Sequence, residues 1–273
     1  MHLCVIHPLT ICLRQPLMFV GRMTTPSALA AAALATSVYN TTGKSIFDSV
    51  KRGQSTLSGQ AFGASDFRAV GIILQCAILL VLAGMVPICS LWLASRPLFT
   101  ALLHQGPQLS YDASRYLFIM CVPVLVASVR DCVLAWMQSQ SVVNAFTITT
   151  FATFCAAFPI IYGAVRGLGY LGGAVATGAI AGVQLVLDIG WILWAGAYAK
   201  TWTGIHIREA MRIALPLGRI ACSCILMFSE LWAAEVIVIL AGNLGGDHAE
   251  SERLLAAQAV YQNINSIGAS VLE

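Results

Sequence analysis

The chain has 273 residues, 58% of them apolar and only 10% charged, where a soluble domain carries roughly 45–50% and about 25%; a water-soluble globule is excluded. Fifteen basic against twelve acidic residues leave a net charge of +3. They gather in short clusters between apolar runs, so no basic face exists for nucleic acid. Lipid is the expected solvent, and a multi-pass protein of the plasma membrane or of a vacuolar or other organelle membrane the expected product.

The opening stretch, MHLCVIHPLTICLRQPLMFVG, is weakly apolar but broken by Pro8, Arg14 and Pro16, with no basic start and no small-residue cleavage site, so it lacks the form of a signal peptide. A membrane helix needs about 20 mostly apolar residues to cross roughly 30 Å of hydrocarbon. Six segments meet that test: Ala28 to Val50, Val70 to Ala94, Tyr116 to Met137, Val142 to Val165, Leu171 to Ala199 and Ile213 to Ala241. A seventh begins near Leu254 and is still running at Glu273. Between them KRGQSTLSGQAFGASDFR, SRPLFTALLHQGPQLSYD, QSQS, VRGLGY, KTWTGIHIREAMR and GNLGGDHAESER read as connections, rich in Gly, Pro and charge.

If the first full span runs inward, the inner connections carry Lys51, Arg52, Arg68, Arg130, Lys200, Arg208, Arg212 and Arg219, against Arg14, Arg22, Arg96, Arg115, Arg166 and Arg253 outside. That is a modest positive-inside bias. Cys76, Cys89, Cys121, Cys155 and Cys224 lie within apolar runs, without CxxC pairs or a histidine-rich cluster, and are expected to be reduced packing residues with no metal. GLGYLG, from Gly167, spells GxGxxG but lies between runs too long for strands, so it is expected to be a tight helix connection rather than a dinucleotide site. GQAFG, from Gly59, has the spacing of a close helix approach or of a tight loop. LAAAALATSVYN from Leu29 is echoed by LAAQAVYQNINS from Leu255, six spans later and so in the same direction, as parallel repeats are in two-lobed transporters.

Ionisable groups at membrane depth cost about 2.5–3.5 kcal/mol each on insertion scales and are functional candidates by default. Glu230 lies near the middle of the sixth span, with Glu235 five residues on, roughly 140° around a helix. Arg219, eleven residues earlier, returns to the same stripe but about 16 Å away, which excludes direct pairing. Asp188, near the centre of its span, is open to either an interhelical hydrogen bond or a part in the pathway. Lys44 and Asp48, four apart, are expected to neutralise each other. No GxxxxGK loop occurs, so pumping would draw on an ion gradient.

The pieces FVGRMTTPSALAAAALATSVYNTTGKS, SGQAFGA, WMQSQSVV, GLGYLGGAVAT, TWTGI, ALPLG and above all FSELWAAEVIVILAG together resemble the multidrug and toxic compound extrusion (MATE) family, eukaryotic members most of all. The resemblance covers about Phe19 to Glu273 and implies an all-α membrane protein, a polytopic helical bundle with one near-complete six-helix lobe and the start of a second related by a parallel repeat. It divides the chain into 1–27, an N-terminal segment with the end of the first family helix; 28–200, the N-terminal lobe; 201–212, a cytoplasmic inter-lobe connection; and 213–273, the first helices of a C-terminal lobe. It implies a fragment lacking most of the first helix and everything after the eighth.

It also implies a secondary antiporter, not an enzyme, exporting organic cations, drugs or toxic metabolites against protons or sodium, with no cofactor and a monomer at full length. The proton-coupling acid of the family motif falls on Glu230 and its neighbour on Glu235. The polar residue of the next helix falls on Asn263, with Gln258 upstream. Trp232 and Tyr261 could offer π-faces to a cation, and Asn40 joins this substrate-binding set. Asp188 and Gln138 are pathway candidates. Where the family has an apolar stretch and an acid before GQAFGA, this chain has Lys51 to Ser55, and the first full span is drawn to end at Val50. The competing possibilities are an inactive truncated membrane protein and a flippase for lipid-linked precursors.

Overall fold

The computed structural model describes residues 17–102, 106–140, 143–196 and 199–227, together with Trp232, Val236, Leu254 and Ala257. The described residues are helical, without strands, and pack as an antiparallel bundle. A short helix α1 (Leu17–Met23) leads into α2 (Pro26–Tyr39), which starts as the sequence dictates. The Thr25 hydroxyl accepts from the Ala28 N–H at 3.4 Å, and Pro26 occupies the first turn, where its missing N–H costs nothing. The alanine run Ala30 to Ala35 is almost fully buried, because a face of methyl groups lets α2 approach its neighbours closely.

A π-helical segment, Asn40–Lys44, joins α2 to α3 (Ser45–Gly63) without a break in helical backbone. The wider turn disturbs the regular ladder, and hydroxyls answer it. Thr41 donates to the Ser37 carbonyl at 2.9 Å, Thr42 to Val38 at 2.6 Å and Ser45 to Thr41 at 2.5 Å. The Trp92 indole N–H donates to the Thr42 hydroxyl at 3.0 Å, and its ring meets Tyr39 edge-on with centroids 6.1 Å apart. Trp92→Phe should therefore lower stability by about 1–2 kcal/mol, the hydrogen bond plus part of the aromatic contact, readable as a lower unfolding midpoint in detergent.

Three expected connections are helical over much of their length instead. Lys51 to Gly63 continues α3 past Val50, with Gly53, Gln54 and Ser58 buried, and GQAFG lies on it as neither a loop nor a close approach, since Gly59 and Gly63 face open space. The physical reason is that Gln54 is fully buried and donates to the Cys132 carbonyl at 2.8 Å, so a polar segment gains a tertiary partner and stays helical. The turn after it is capped by Asp66, which accepts from Ala69 N–H at 3.0 Å and opens α4 (Phe67–Leu93). A helical turn Ser95–Pro97 and a π-helical segment Leu98–Leu102 follow, and α5 (Pro107–Ser139) begins nine residues before the expected Tyr116, with Pro107 in its first turn.

The bundle is completed by α6 (Val143–Leu168), α7 (Leu171–Ala195) and α8 (Ile207–Met227). GLGYLG is the tight connection expected of it, with Gly169 at φ +60°, a conformation that suits glycine. HIREAMR is not a connection from Ile207 onward, because α8 starts there rather than at Ile213. Five described helices are long and apolar enough to cross a membrane, α4, α5, most of α6 (Thr147–Leu168), α7 and α8. The seventh expected segment, from Leu254, lies outside the described residues apart from Leu254 and Ala257.

Helix α5 is the axis of the bundle, packed against α2, α3, α4 and α7, while α8 packs on α3 and α4. The α5–α7 approach is tight at Gly178, where a Cβ would lie 2.9 Å from the Pro123 ring. Of the cysteines, Cys76 and Cys132 are buried packing residues, whereas Cys155 and Cys222 are exposed, because α6 and α8 turn those faces outward; all seven in the described residues are free thiols.

Candidate functional site: a buried charge cluster between three helices

Among the described residues the charged side chains that reach the buried interior are Arg130, Asp131 and Asp188, at 5%, 9% and 0% exposure. Arg130 and Asp131 lie on α5, nine and eight residues before its end; Asp188 lies on α7, seven residues before its end. Both helices finish at the same end of the bundle, and a rise of 1.5 Å per residue puts the cluster roughly 10–14 Å inside it. Arg130 Nη1 donates to Asp131 Oδ1 at 2.7 Å, and Arg130 Nε approaches Asp188 Oδ2 at 3.8 Å. Thr149 of α6, also buried, stands beside the Asp188 carboxyl. One turn deeper, Gln184 of α7 donates to the Thr150 hydroxyl of α6 at 3.2 Å.

This arrangement joins α5, α6 and α7 through charge and hydrogen bonds where lipid offers none. A guanidinium suits the place, being planar, always charged and able to address two carboxylates from one fork. Outside the cluster an apolar cleft of about 570 Å³ opens between α6 and α7, lined by Ile148, Thr149, Val186, Trp191 and Trp194, but Asp188 is wholly covered. Arg130 is thus no loop residue, as the orientation count takes it to be, and Lys51, Arg52 and Arg219 also lie on helices. The signal for the cluster was present in the sequence, an Arg-Asp pair inside the run Tyr116 to Met137. What it lacked was the partner on α7.

Of the expected site residues, Glu230, Glu235, Gln258 and Asn263 lie outside the described residues, as does Tyr261. Trp232 is half-buried, and its indole nitrogen has no hydrogen-bond partner among the described residues. Asn40 is half-buried at the start of the π-helical segment. Gln138 is exposed at the end of α5, eight residues beyond Arg130, and Asp188 alone of the expected set joins the charge cluster. Lys44 and Asp48 pair as expected, at 3.3 Å.

At the opposite end of the bundle, Asp112 accepts from Gln108 at 3.1 Å and from the Tyr170 hydroxyl at 3.2 Å. Burial, and then the Asp112 carboxylate, push the Tyr170 phenol up to about 12, so it remains a neutral donor across the physiological range.

The MatE family model matches residues 16–163. Protein DETOXIFICATION 49 of Arabidopsis thaliana is 30% identical over 84% of this chain and 46% of its own length. Multidrug and toxin extrusion protein 1 of Xenopus tropicalis is 30% identical over 86% of this chain and 40% of its own. The chain thus spans about half the length of the curated relatives it matches. Among solved structures, the eukaryotic MATE transporter AtDTX14 superposes with a TM-score of 0.84 at 20% identity, over 98% of this chain and 60% of that one. The fold follows that architecture, and the family match extends over more than half of the sequence: the chain is an integral, multi-pass membrane protein of the MATE family.

Proposed function

We propose that the protein takes part in the efflux of organic cations or related amphiphiles in exchange for protons, with Glu230 as the coupling carboxylate. The observation that carries this is the SELWAAE motif, which sets Glu230, three residues beyond the last residue of α8, and Glu235, five residues further on, in an otherwise apolar run. A carboxyl group in such a run favours its neutral form, and so can exchange a proton for a cation. Each pH unit supplies about 1.4 kcal/mol and each 100 mV about 2.3 kcal/mol per charge, enough for roughly tenfold to several-hundredfold accumulation. Glu235, Trp232, Asn40, Gln258 and Asn263 would line the substrate path, and Asp188 and Gln138 the ion path. Residues 28–200 would form one lobe, 201–212 the connection and 213–273 the start of the other.

In proteoliposomes, an imposed pH gradient should drive efflux of a fluorescent organic cation, and Glu230→Gln should remove at least tenfold of that pH-driven rate while Glu230→Asp retains part of it. Unchanged pH-driven efflux by the Gln variant overturns the assignment. Absence of any transport by the unaltered protein overturns the function, as does uptake of anionic lipid precursors in place of cations.

A further inference from the structure

We propose that the seam between α4 and α5 holds an anionic phospholipid, its phosphate on Arg96 and Arg115 and its chains along the exposed apolar residues behind them. Both guanidiniums rest on one ring, Arg96 Cζ at 5.4 Å from the Tyr111 centroid and Arg115 Cζ at 5.7 Å, which keeps them within about 11 Å of each other. Both side chains are exposed, and among the described residues neither makes an ion pair. The neighbouring acid, Asp112, is hydrogen-bonded to Gln108 and Tyr170 rather than ion-paired to either guanidinium, so it offsets only part of their charge and leaves the group net positive. Two like charges so held raise the local potential and favour an anion within reach of both.

The apolar half of the site follows from helix geometry. On α5, Tyr111, Arg115, Phe118 and Val122 succeed one another by four, three and four residues and form one exposed stripe. On α4, Leu82, Val86 and Leu93 form another, and Arg96 follows three residues later. The Cys89 and Cys121 side chains lie against each other, and because Cys89 shares a face with Val86 and Leu93 while Cys121 adjoins Phe118 and Val122, the two stripes run side by side. From Arg115 to Val122 the stripe descends about 10 Å, the upper part of one leaflet. A charged head above a paired apolar track fits a phospholipid rather than a free anion. Arg166 stands on the Tyr162 ring at 5.9 Å, with no second guanidinium on that ring among the described residues, and serves as the internal comparison.

The test is native mass spectrometry of the purified chain released from micelles containing equal amounts of phosphatidylglycerol and phosphatidylcholine. The unaltered chain should retain phosphatidylglycerol preferentially. Each near-surface arginine is worth roughly fivefold, so Arg96→Gln and Arg115→Gln singly should each cost about that factor and the double variant at least tenfold. The double Lys variant should keep most of the preference and Arg166→Gln all of it. Equal retention of the two lipids by the unaltered chain, an undiminished preference in the double Gln variant, or displacement of phosphatidylglycerol by excess inorganic phosphate each overturns the proposal.

Discussion

Arg130→Leu should lower stability by about 3–5 kcal/mol, the cost of stripping the cation from buried carboxylates. Asp188 is fully buried, and Arg130 is its one described ion partner, at 3.8 Å. Asp131 loses a 2.7 Å charge-assisted bond in the same stroke. The unfolding midpoint in detergent, followed through tryptophan fluorescence, should fall well below that of the unaltered protein. Adding Asp188→Asn to Arg130→Leu should recover part of the loss, because a neutral amide is cheaper to bury than an uncompensated charge. If the single and double variants melt together, near the unaltered value, the cluster is not what joins α5 to α7.

Gly71→Ala is expected to have the second largest effect, about 2–4 kcal/mol from forced displacement and lost hydrogen bonds. A Cβ at Gly71 would lie 2.1 Å from the Thr201 carbonyl oxygen and 3.2 Å from its carbon, both backbone atoms that no rotamer change can move aside. The segment that crosses there is held by the Gln75 amide, which donates to the Gly204 carbonyl at 2.7 Å and accepts from the His206 N–H at 2.7 Å. Lifting Thr201 therefore pulls on both bonds. Tryptic cleavage after Lys200 under native conditions should speed up more than tenfold in Gly71→Ala, and no change in that rate would count against the strap. The Arg68–Glu209 pair nearby, at 2.8 Å, is roughly half exposed, so Arg68→Gln should cost less than about 1 kcal/mol.

The apolar runs and their punctuation determined, from the sequence alone, that helices cross a membrane, roughly where five of them lie, and that GLGYLG is a turn. Hydrophobicity over twenty residues is a local property, and lipid leaves the backbone few other ways to satisfy itself. The family was also legible, in short motifs such as GQAFGA and SELWAAE, and so was the Lys44–Asp48 pair, whose partners are one turn apart. Tertiary structure alone decided the rest. Lys51 to Gly63 is helical because Gln54 finds the Cys132 carbonyl 78 positions away, and Arg130 is a core residue because α7 brings Asp188 to it across 58 positions. Likewise Gly71 matters only because the chain returns over it at Thr201. A polar or charged side chain in a membrane protein is stable or costly according to what faces it, and that partner is fixed by packing rather than by neighbours in sequence.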